Sequence, residues 1–202
     1  LKNHNFLYLA MEVRTGKTLT SLGICSKLDV ENVLFVTKKG AMSSISDDYD
    51  KLCPNNFALF VINYESLHKI PDIGWDVIIL DEAHSIGRYA IKSKRCVKVS
   101  RLVRIHKPMV ILMSGTPTPE SYCQMYHQVS FIPGNPFARF KNFYKFANEY
   151  VNTRQRMFNG LPNTDYSDGK ESIIQEMKPY TISYTQKEAG FVVDTREEVL
   201  YV

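Results

Sequence analysis

Short apolar runs alternate with longer amphipathic stretches over the first two thirds of the chain. Five runs have the length of buried strands, namely residues 6–10, 33–37, 58–62, 77–80 and 109–113. The intervening segments predicted to form crossover helices are 17–28, 41–52 and 92–105, whereas 66–70 is at most one turn. This alternation is typical of βαβ units, so we predict an α/β fold with a mostly parallel central sheet flanked by helices.

The pattern changes after Pro117. Helices are predicted over 121–132, 136–151 and 171–177, and the aromatic stripe of the second is assigned to the core: Phe137, Phe140, Tyr144 and Ala147. Residues 152–170 are polar and turn-rich, which predicts an exposed loop or irregular hairpin, and 197–202 alternate like a final strand. We therefore expect a single domain over 1–202, with a core over 1–132 and a helical and irregular C-terminal extension over 133–202.

Composition limits the class of protein. The chain has 202 residues, 44% hydrophobic and 23% charged, which is the balance of a folded soluble domain and excludes disorder and coiled coil. No apolar run approaches a membrane span, so we expect no membrane partner. The chain opens at Leu1 without a signal peptide, and we expect a piece of a longer, intracellular protein.

Cysteine spacing argues against a metal or disulfide framework. The four cysteines, Cys25, Cys53, Cys96 and Cys123, form no CxxC pair, and no His stands near them at the spacing of metal ligands. We interpret them as reduced thiols.

Positive charge is concentrated in one segment. The net charge is only +4, yet residues 88–107 contain no acid and eight of the 25 basic residues: Arg88, Lys92, Lys94, Arg95, Lys98, Arg101, Arg104 and Lys107. On a helix over 92–105, Lys94, Lys98 and Arg101 share one face, and Cys96, Val99 and Val103 share the opposite one. A solvated face and a phosphate-binding face both fit this helix, which we leave unassigned.

The first candidate for chemistry lies between the first predicted strand and the first predicted helix. A strand, a tight loop ending in Gly-Lys-Thr and a helix form a phosphate-binding arrangement, because backbone N–H groups at the helix start converge on an anion. Lys17 is expected to reach the β- and γ-phosphates, and the Thr18 hydroxyl to bind Mg²⁺. Met11 stands where this motif usually begins with Gly. The candidate ATP-binding residues are Met11, Glu12, Val13, Arg14, Thr15, Gly16, Lys17 and Thr18.

Two further motifs follow later strands. Asp81 and Glu82 end the run 77–80, at the carboxyl edge where ligand sites of parallel sheets form. We expect Asp81 to hold Mg²⁺ with Thr18, and Glu82 to orient or deprotonate an attacking water. A helix cap is the structural alternative for this pair. The small hydroxyl residues of 114–117 follow the run 109–113 and fit a hydrogen-bond relay, or an ordinary turn.

Taken together, Gly16-Lys17-Thr18, Asp81-Glu82-Ala83-His84 and Ser114-Gly115-Thr116-Pro117 resemble motifs I, II and III of superfamily 2 helicases. Within that superfamily the chain is most similar to Snf-type, chromatin-remodeller-like DNA translocases and their compact relatives in bacteriophages. The stretches 36–39 and 63–66 resemble motifs Ia and Ib. The resemblance covers nearly the whole chain and implies a RecA-like P-loop fold.

The resemblance also implies roles. Lys17, Asp81 and Glu82 take the catalytic positions, with ATP and Mg²⁺ as cofactors. Coupling of the nucleotide state to DNA falls to His84, Ser114, Gly115 and Thr116. Positions near a nucleic-acid backbone are Thr37, Lys38, Lys39, Asn63 and Tyr64. Arg14 stands where the remodellers usually have Gly. If a phage encodes the protein, the cytoplasm of a bacterial host is its expected location.

Motifs IV to VI have no counterpart here, and no adenine-reading glutamine precedes residue 10. We therefore expect the N-terminal ATP-binding lobe of a DNA helicase or translocase, with duplex DNA and a second RecA-like lobe, absent from this chain, as partners. An isolated lobe without a second-lobe arginine is expected to turn ATP over slowly, if at all. The alternative is a catalytically weak helicase-like lobe that binds DNA or a protein. A small-molecule phosphotransferase fits less well, since no acceptor-binding lid is evident.

Overall fold

The computed structural model describes residues 4–52, 56–158 and 160–191. Six parallel strands form the central sheet, in the order β3-β2-β4-β5-β1-β8. They are β1 Phe6–Met11, β2 Asn32–Thr37, β3 Ala58–Asn63, β4 Val77–Leu80, β5 Met109–Met113 and β8 Thr181–Tyr184. A separate antiparallel hairpin consists of β6 Arg154–Phe158 and β7 Leu161–Asp165. The five strands predicted from apolar runs are all confirmed.

Helices cover both faces of the sheet. They are α1 Lys17–Lys27, α2 Met42–Leu52, α3 Lys94–His106, α4 Met125–Val129, α5 Phe143–Tyr150 and α6 Ser172–Met177. Leu22 of α1 and Ile45 of α2 pack into one apolar cluster, while α3, α4, α5 and α6 contribute to a second, larger one. The result is a three-layer α/β architecture in which the ends of the parallel strands lie at one edge of the sheet.

Helix α3 confirms the amphipathic pattern of the basic segment. It buries Cys96, Val99 and Val103 against the sheet and leaves its basic residues outside. The helix begins at Lys94, two residues later than expected, because the Ser93 hydroxyl accepts a hydrogen bond from the Cys96 amide at 3.0 Å and caps the first turn.

The helices after Pro117 are shorter than predicted. The segment 121–132 contains a 3-10 turn, Tyr122–Gln124, followed by α4, and the segment 136–151 is helical only over α5. The side-chain Oδ1 atom of Asn142 accepts a hydrogen bond from the Lys145 amide and caps α5, so Phe137 and Phe140 lie before the helix rather than on it. Phe137 is still buried, but Tyr144 is 52% exposed, and the buried face of α5 is Phe143, Phe146, Ala147 and Tyr150.

The C-terminal extension is not separate from the central sheet. Strand β8 pairs with β1, with Tyr8 opposite Thr181 and Met11 opposite Tyr184. The turn-rich segment 152–170, predicted to be an exposed loop or irregular hairpin, contains the antiparallel hairpin β6–β7 in regular register. The predicted strand over 197–202 lies outside the described residues.

The cysteines that the structure describes are buried thiols. Cys25, Cys96 and Cys123 are buried, and burial raises the pKa of Cys96 and of Cys123 to about 11, so both remain thiols at neutral pH. Cys53 lies outside the described residues. Among the helices that the structure describes, none has the length and apolar character of a membrane-spanning segment.

Candidate nucleotide-binding site

The loop between β1 and α1 has the backbone shape of a phosphate cradle. Gly16, the N-cap of α1, has φ 87°, and Arg14 has φ 65°, so both residues adopt the left-handed conformation that favours glycine. The turn leads directly into α1, whose first N–H groups have no partner within a helix and are available to an anion. Arg14 therefore occupies a conformation in which glycine would be less strained, which accounts for the glycine that the remodellers usually have there.

Lys17 lies folded into this loop. Its ammonium group donates hydrogen bonds to the Met11 and Glu12 carbonyl oxygens, both at 2.9 Å. Burial lowers the pKa of Lys17, and the nearby carboxylates of Asp81 and Glu82 oppose that shift. Strands β1 and β4 both neighbour β5 in the sheet, so the loops that carry Lys17 and the two acids lie at the same edge.

Asp81 follows β4 and is held by three neighbouring groups. Its carboxylate accepts hydrogen bonds from the Thr37 hydroxyl at 2.7 Å and from the Glu82 amide at 2.9 Å. Its carbonyl oxygen accepts from the Tyr64 hydroxyl at 2.6 Å. Burial raises the Asp81 pKa, and the hydrogen bond from Thr37 opposes this. The carboxylate is thus fixed in position and poorly solvated, which favours binding of a cation.

Glu82 has φ 51°, a strained left-handed conformation at the expected catalytic position. Its carboxylate contacts the Lys38 ammonium at 3.1 Å and lies 3.4 Å from the Nδ1 atom of His84. The same ring atom of His84 lies 2.9 Å from the Ser114 hydroxyl, which in turn accepts from the Thr116 amide at 3.1 Å. The structure therefore connects Glu82 through His84 to the turn after β5.

That turn also contacts the nucleotide loop. A Cβ built on Gly115 would lie 3.6 Å from the Met11 carbonyl oxygen and 3.7 Å from Val13. The two loops are therefore in close contact at Gly115, and the third sequence motif adjoins the first as well as the second.

The five residues predicted near a nucleic-acid backbone separate into two groups. Thr37 is fully buried and Tyr64 is 1% exposed, and their hydroxyls serve Asp81. These two side chains point into the protein, so they do not lie on the open surface for nucleic-acid contact that the sequence predicted. Lys38 and Lys39 are exposed, whereas Asn63 caps the 3-10 turn Tyr64–Lys69 by accepting from the Ser66 amide at 2.9 Å.

Arg95 is a neighbour of this surface that the sequence did not single out. Its guanidinium lies 4.9 Å from the centre of the Tyr64 ring and bonds the Glu65 carboxylate at 2.6 Å. This hydrogen bond lowers the Glu65 pKa. The basic segment predicted a charged helix, but only tertiary packing distinguishes Arg95 from the other cations.

Gln128 on α4 is a second residue without a sequence signal. Its side-chain oxygen accepts from the Tyr8 hydroxyl at 2.6 Å, and its amide nitrogen donates to the Pro117 carbonyl oxygen at 2.8 Å. A Cβ on Gly87 would lie 2.9 Å from that nitrogen and 2.7 Å from the Gln124 carbonyl oxygen. Gln128 thus joins the strand before the nucleotide loop to the turn after β5, against the segment that follows His84.

The segment after β8 holds the nucleotide loop from its outer side. The Glu12 amide donates to the Tyr184 carbonyl oxygen at 3.0 Å. The Gln186 amide donates to the Glu12 carboxylate at 2.7 Å, and the Gln186 side chain donates to the Val13 carbonyl oxygen at 2.8 Å. These contacts depend on the pairing of β8 with β1, and no local sequence pattern predicts them.

The residues present fit Mg²⁺-ATP. A Cβ on Gly16 would meet nothing within 4 Å, so the turn is open where phosphates would approach. Within the described residues no cluster of three His, Cys, Asp or Glu could hold a metal by itself. Mg²⁺ needs no such cluster, because it binds through one or two protein oxygens, phosphate oxygens and water. Thr18 and Asp81 supply oxygens of the type that it prefers.

Comparisons with known proteins agree with this geometry. The profile of the SNF2-related domain matches residues 48–202. A solved structure described as the Sulfolobus solfataricus SWI2/SNF2 ATPase core in complex with dsDNA matches 93% of this chain with a TM-score of 0.67 and 16% identity. The match spans 42% of that protein's chain. A search of curated proteins finds no significant match. The chain has the RecA-like α/β fold of that ATPase core. Because the SNF2-related domain profile covers more than half of the residues of this chain, the chain belongs to the SNF2-related domain family.

Proposed function

We propose that the chain is the N-terminal ATP-binding lobe of a DNA translocase that couples Mg²⁺-ATP hydrolysis to translocation on, remodelling of or unwinding of duplex DNA. The proposal rests on one observation: Lys17, Asp81 and the His84–Ser114 contact all lie at the same edge of the sheet. The dsDNA in the related ATPase core supports DNA as the partner. Because this chain spans 42% of that one, the whole activity is proposed for a longer protein with a second lobe.

Each residue has a distinct part in the proposed hydrolysis. Lys17 leaves its two carbonyl partners and binds the β- and γ-phosphates together with backbone N–H groups of the loop. Thr18 and Asp81 would hold Mg²⁺, which neutralises charge on the phosphate oxygens when it is bound. Glu82 accepts a hydrogen bond from the attacking water and orients it towards the γ-phosphate.

The Lys38–Glu82 ion pair suggests how DNA would stimulate this reaction. Lys38 contacts the Glu82 carboxylate at 3.1 Å, and its side chain is 57% exposed. A DNA phosphate that binds Lys38 would compete for the ammonium group and free Glu82 to orient water. Such an exposed ion pair is weak, on the order of 1 kcal/mol or less, so a phosphate can break it readily.

The experiment is DNA-stimulated ATP hydrolysis by the full-length protein. Glu82→Gln should lower the stimulated rate by about 10²-fold or more, while nucleotide binding persists. Lys17→Ala should lower both binding and rate. Glu31→Gln, which changes an exposed carboxylate far from the site, is the matched control and should leave the rate unchanged.

Two results would reject the proposal: hydrolysis that DNA does not stimulate, or hydrolysis that survives Glu82→Gln. The strained Arg14 in the nucleotide loop keeps one alternative open, a lobe that binds DNA or protein without turnover. Tight binding that is insensitive both to ATP and to Glu82→Gln would favour that alternative.

A further inference from the structure

One side of α3, together with the residues just before and after it, lines a groove that the nucleotide site does not use. The groove has a volume of about 810 Å³, and four cations surround it, Lys92, Arg101, Arg104 and Lys107. None of the described residues that line it is acidic. Val97, Ser100, Arg101 and Arg104 lie at spacings of three and four residues, so they form one continuous stripe of the helix. Of the basic face that the sequence left unassigned, Lys94, Lys98 and Arg101, only Arg101 lies among the lining residues of this groove.

One end of the groove lies at the opposite edge of the sheet from the nucleotide site. Lys107 and Pro108 precede β5, and Asn5 precedes β1, so the groove opens where these strands begin. Asp81 and Ser114 stand where strands end. A strand of five residues spans about 15 Å, so residues at the start of β5 are too far from the nucleotide site for direct contact.

The two halves of α3 differ in how their charge is balanced. Near the start of the helix, Arg95 bonds the Glu65 carboxylate and Lys98 donates to the Glu65 carbonyl oxygen at 3.3 Å. Within the described residues, no carboxylate lies within ion-pair distance of Arg101, Arg104 or Lys107. Neighbouring like charges repel along a helix, so this half offers several cations to an anionic ligand.

The groove also offers apolar surface. Val97 is 53% exposed, and Phe131 and Pro133 line the wall opposite the helix. A DNA backbone binds proteins mainly through its phosphates, which pair with protruding cations, so the phosphates would not account for this apolar surface. A peptide carrying both carboxylates and apolar side chains would satisfy the two kinds of surface together.

We propose that this groove binds an acidic peptide segment of a protein partner. Its carboxylates pair with Arg101, Arg104 and Lys107, and an apolar side chain packs between Val97 and Phe131. The interaction is independent of ATP hydrolysis, because the groove shares no residue with the nucleotide site.

The probe is a fluorescein-labelled peptide in which Glu pairs alternate with Leu and Phe, titrated with the full-length protein at low salt. Arg101→Gln/Arg104→Gln should weaken binding by about tenfold or more, with a smaller salt dependence. Lys94→Gln removes a charge from the same helix outside the groove and should change affinity less than about twofold. Val97→Ser should weaken the peptide severalfold.

Circular dichroism of each variant checks that α3 remains folded. The proposal is overturned if the labelled peptide does not bind the unchanged protein, or if polyglutamate without apolar residues binds as tightly. It is also overturned if Arg101→Gln/Arg104→Gln reduces affinity for duplex DNA as much as for the peptide, since the groove would then be a nucleic-acid surface.

Discussion

Replacement of Gln128 by Leu tests whether this buried side chain connects the strand before the nucleotide loop to the turn after β5. Gln128 and Tyr8 are both fully buried, and the Tyr8 hydroxyl donates to Gln128 at 2.6 Å. Burial raises the Tyr8 pKa, so the hydroxyl keeps its proton and needs an acceptor. Leu has a similar volume but cannot accept this hydrogen bond or donate to the Pro117 carbonyl oxygen.

The expected loss follows from the groups left without partners. A buried hydroxyl without an acceptor costs about 1–3 kcal/mol, and the Pro117 carbonyl, which is half-buried, adds less because water can reach it. We expect Gln128→Leu to lower the free energy of unfolding by about 2–3 kcal/mol. For a chain of this size the melting temperature should then fall by about 4–12 °C.

Urea unfolding of Gln128→Leu, Tyr8→Phe and the double variant measures the coupling. Removal of both partners leaves no unsatisfied hydroxyl. The double variant should therefore lose less free energy of unfolding than the two single variants lose in sum, by about 1 kcal/mol or more. Gln175→Leu on the exposed side of α6 is the control and should stay within about 0.5 kcal/mol. A loss below that value for Gln128→Leu, without coupling to Tyr8, would refute the reasoning.

Three further outcomes are expected. Because burial raises the Asp81 pKa above its usual 3.8, the folded chain binds the proton more tightly, and stability declines as pH rises through the raised pKa. Asp81→Asn should therefore raise the melting temperature at neutral pH, and this increase should disappear below pH 3.8. The same variant should lose DNA-stimulated hydrolysis. An unchanged melting temperature at neutral pH would contradict the prediction. Gly87→Ala should lower stability by about 1–3 kcal/mol in urea unfolding, since its Cβ would lie 2.7 Å from the Gln124 carbonyl oxygen, whereas Gly74→Ala has open space and should not. Lys38→Ala should raise hydrolysis without DNA and reduce the stimulation ratio; an unchanged basal rate would exclude a restraining role for the ion pair.

Local signals explain what the sequence could predict. Each of the strands β1 to β5 is an apolar run, and three of the four connections between them contain a segment of helical length, so the α/β class follows from periodicity alone. The motif positions follow as well, because carboxyl ends of parallel strands lie at one edge. For this reason Lys17, Asp81 and Ser114, distant in sequence, belong to one site.

Residues that depend on long-range packing could not be predicted in this way. Strand β8 has four residues, of which three are exposed, and it lacks an apolar run. Gln186 acts on the nucleotide loop only because β8 pairs with β1. The α5 boundary was missed because Asn142 caps a helix inside a segment whose aromatic spacing also fits a longer one.

Strand order also links the expected DNA surface to the catalytic acid. Strand β2 lies between β3 and β4, so Thr37 at the end of β2 reaches the Asp81 carboxylate, and Tyr64 just after β3 reaches the Asp81 carbonyl oxygen. Lys38, exposed and next to Thr37, binds Glu82. A DNA contact at Lys38 or Lys39 would therefore act one or two residues away from Thr37, which positions Asp81. Under the proposed function, the hydroxyls of Thr37 and Tyr64 act as positioning groups. A shift of the backbone at the DNA surface would change their hydrogen bonds to Asp81 and so move the carboxylate that would hold the metal.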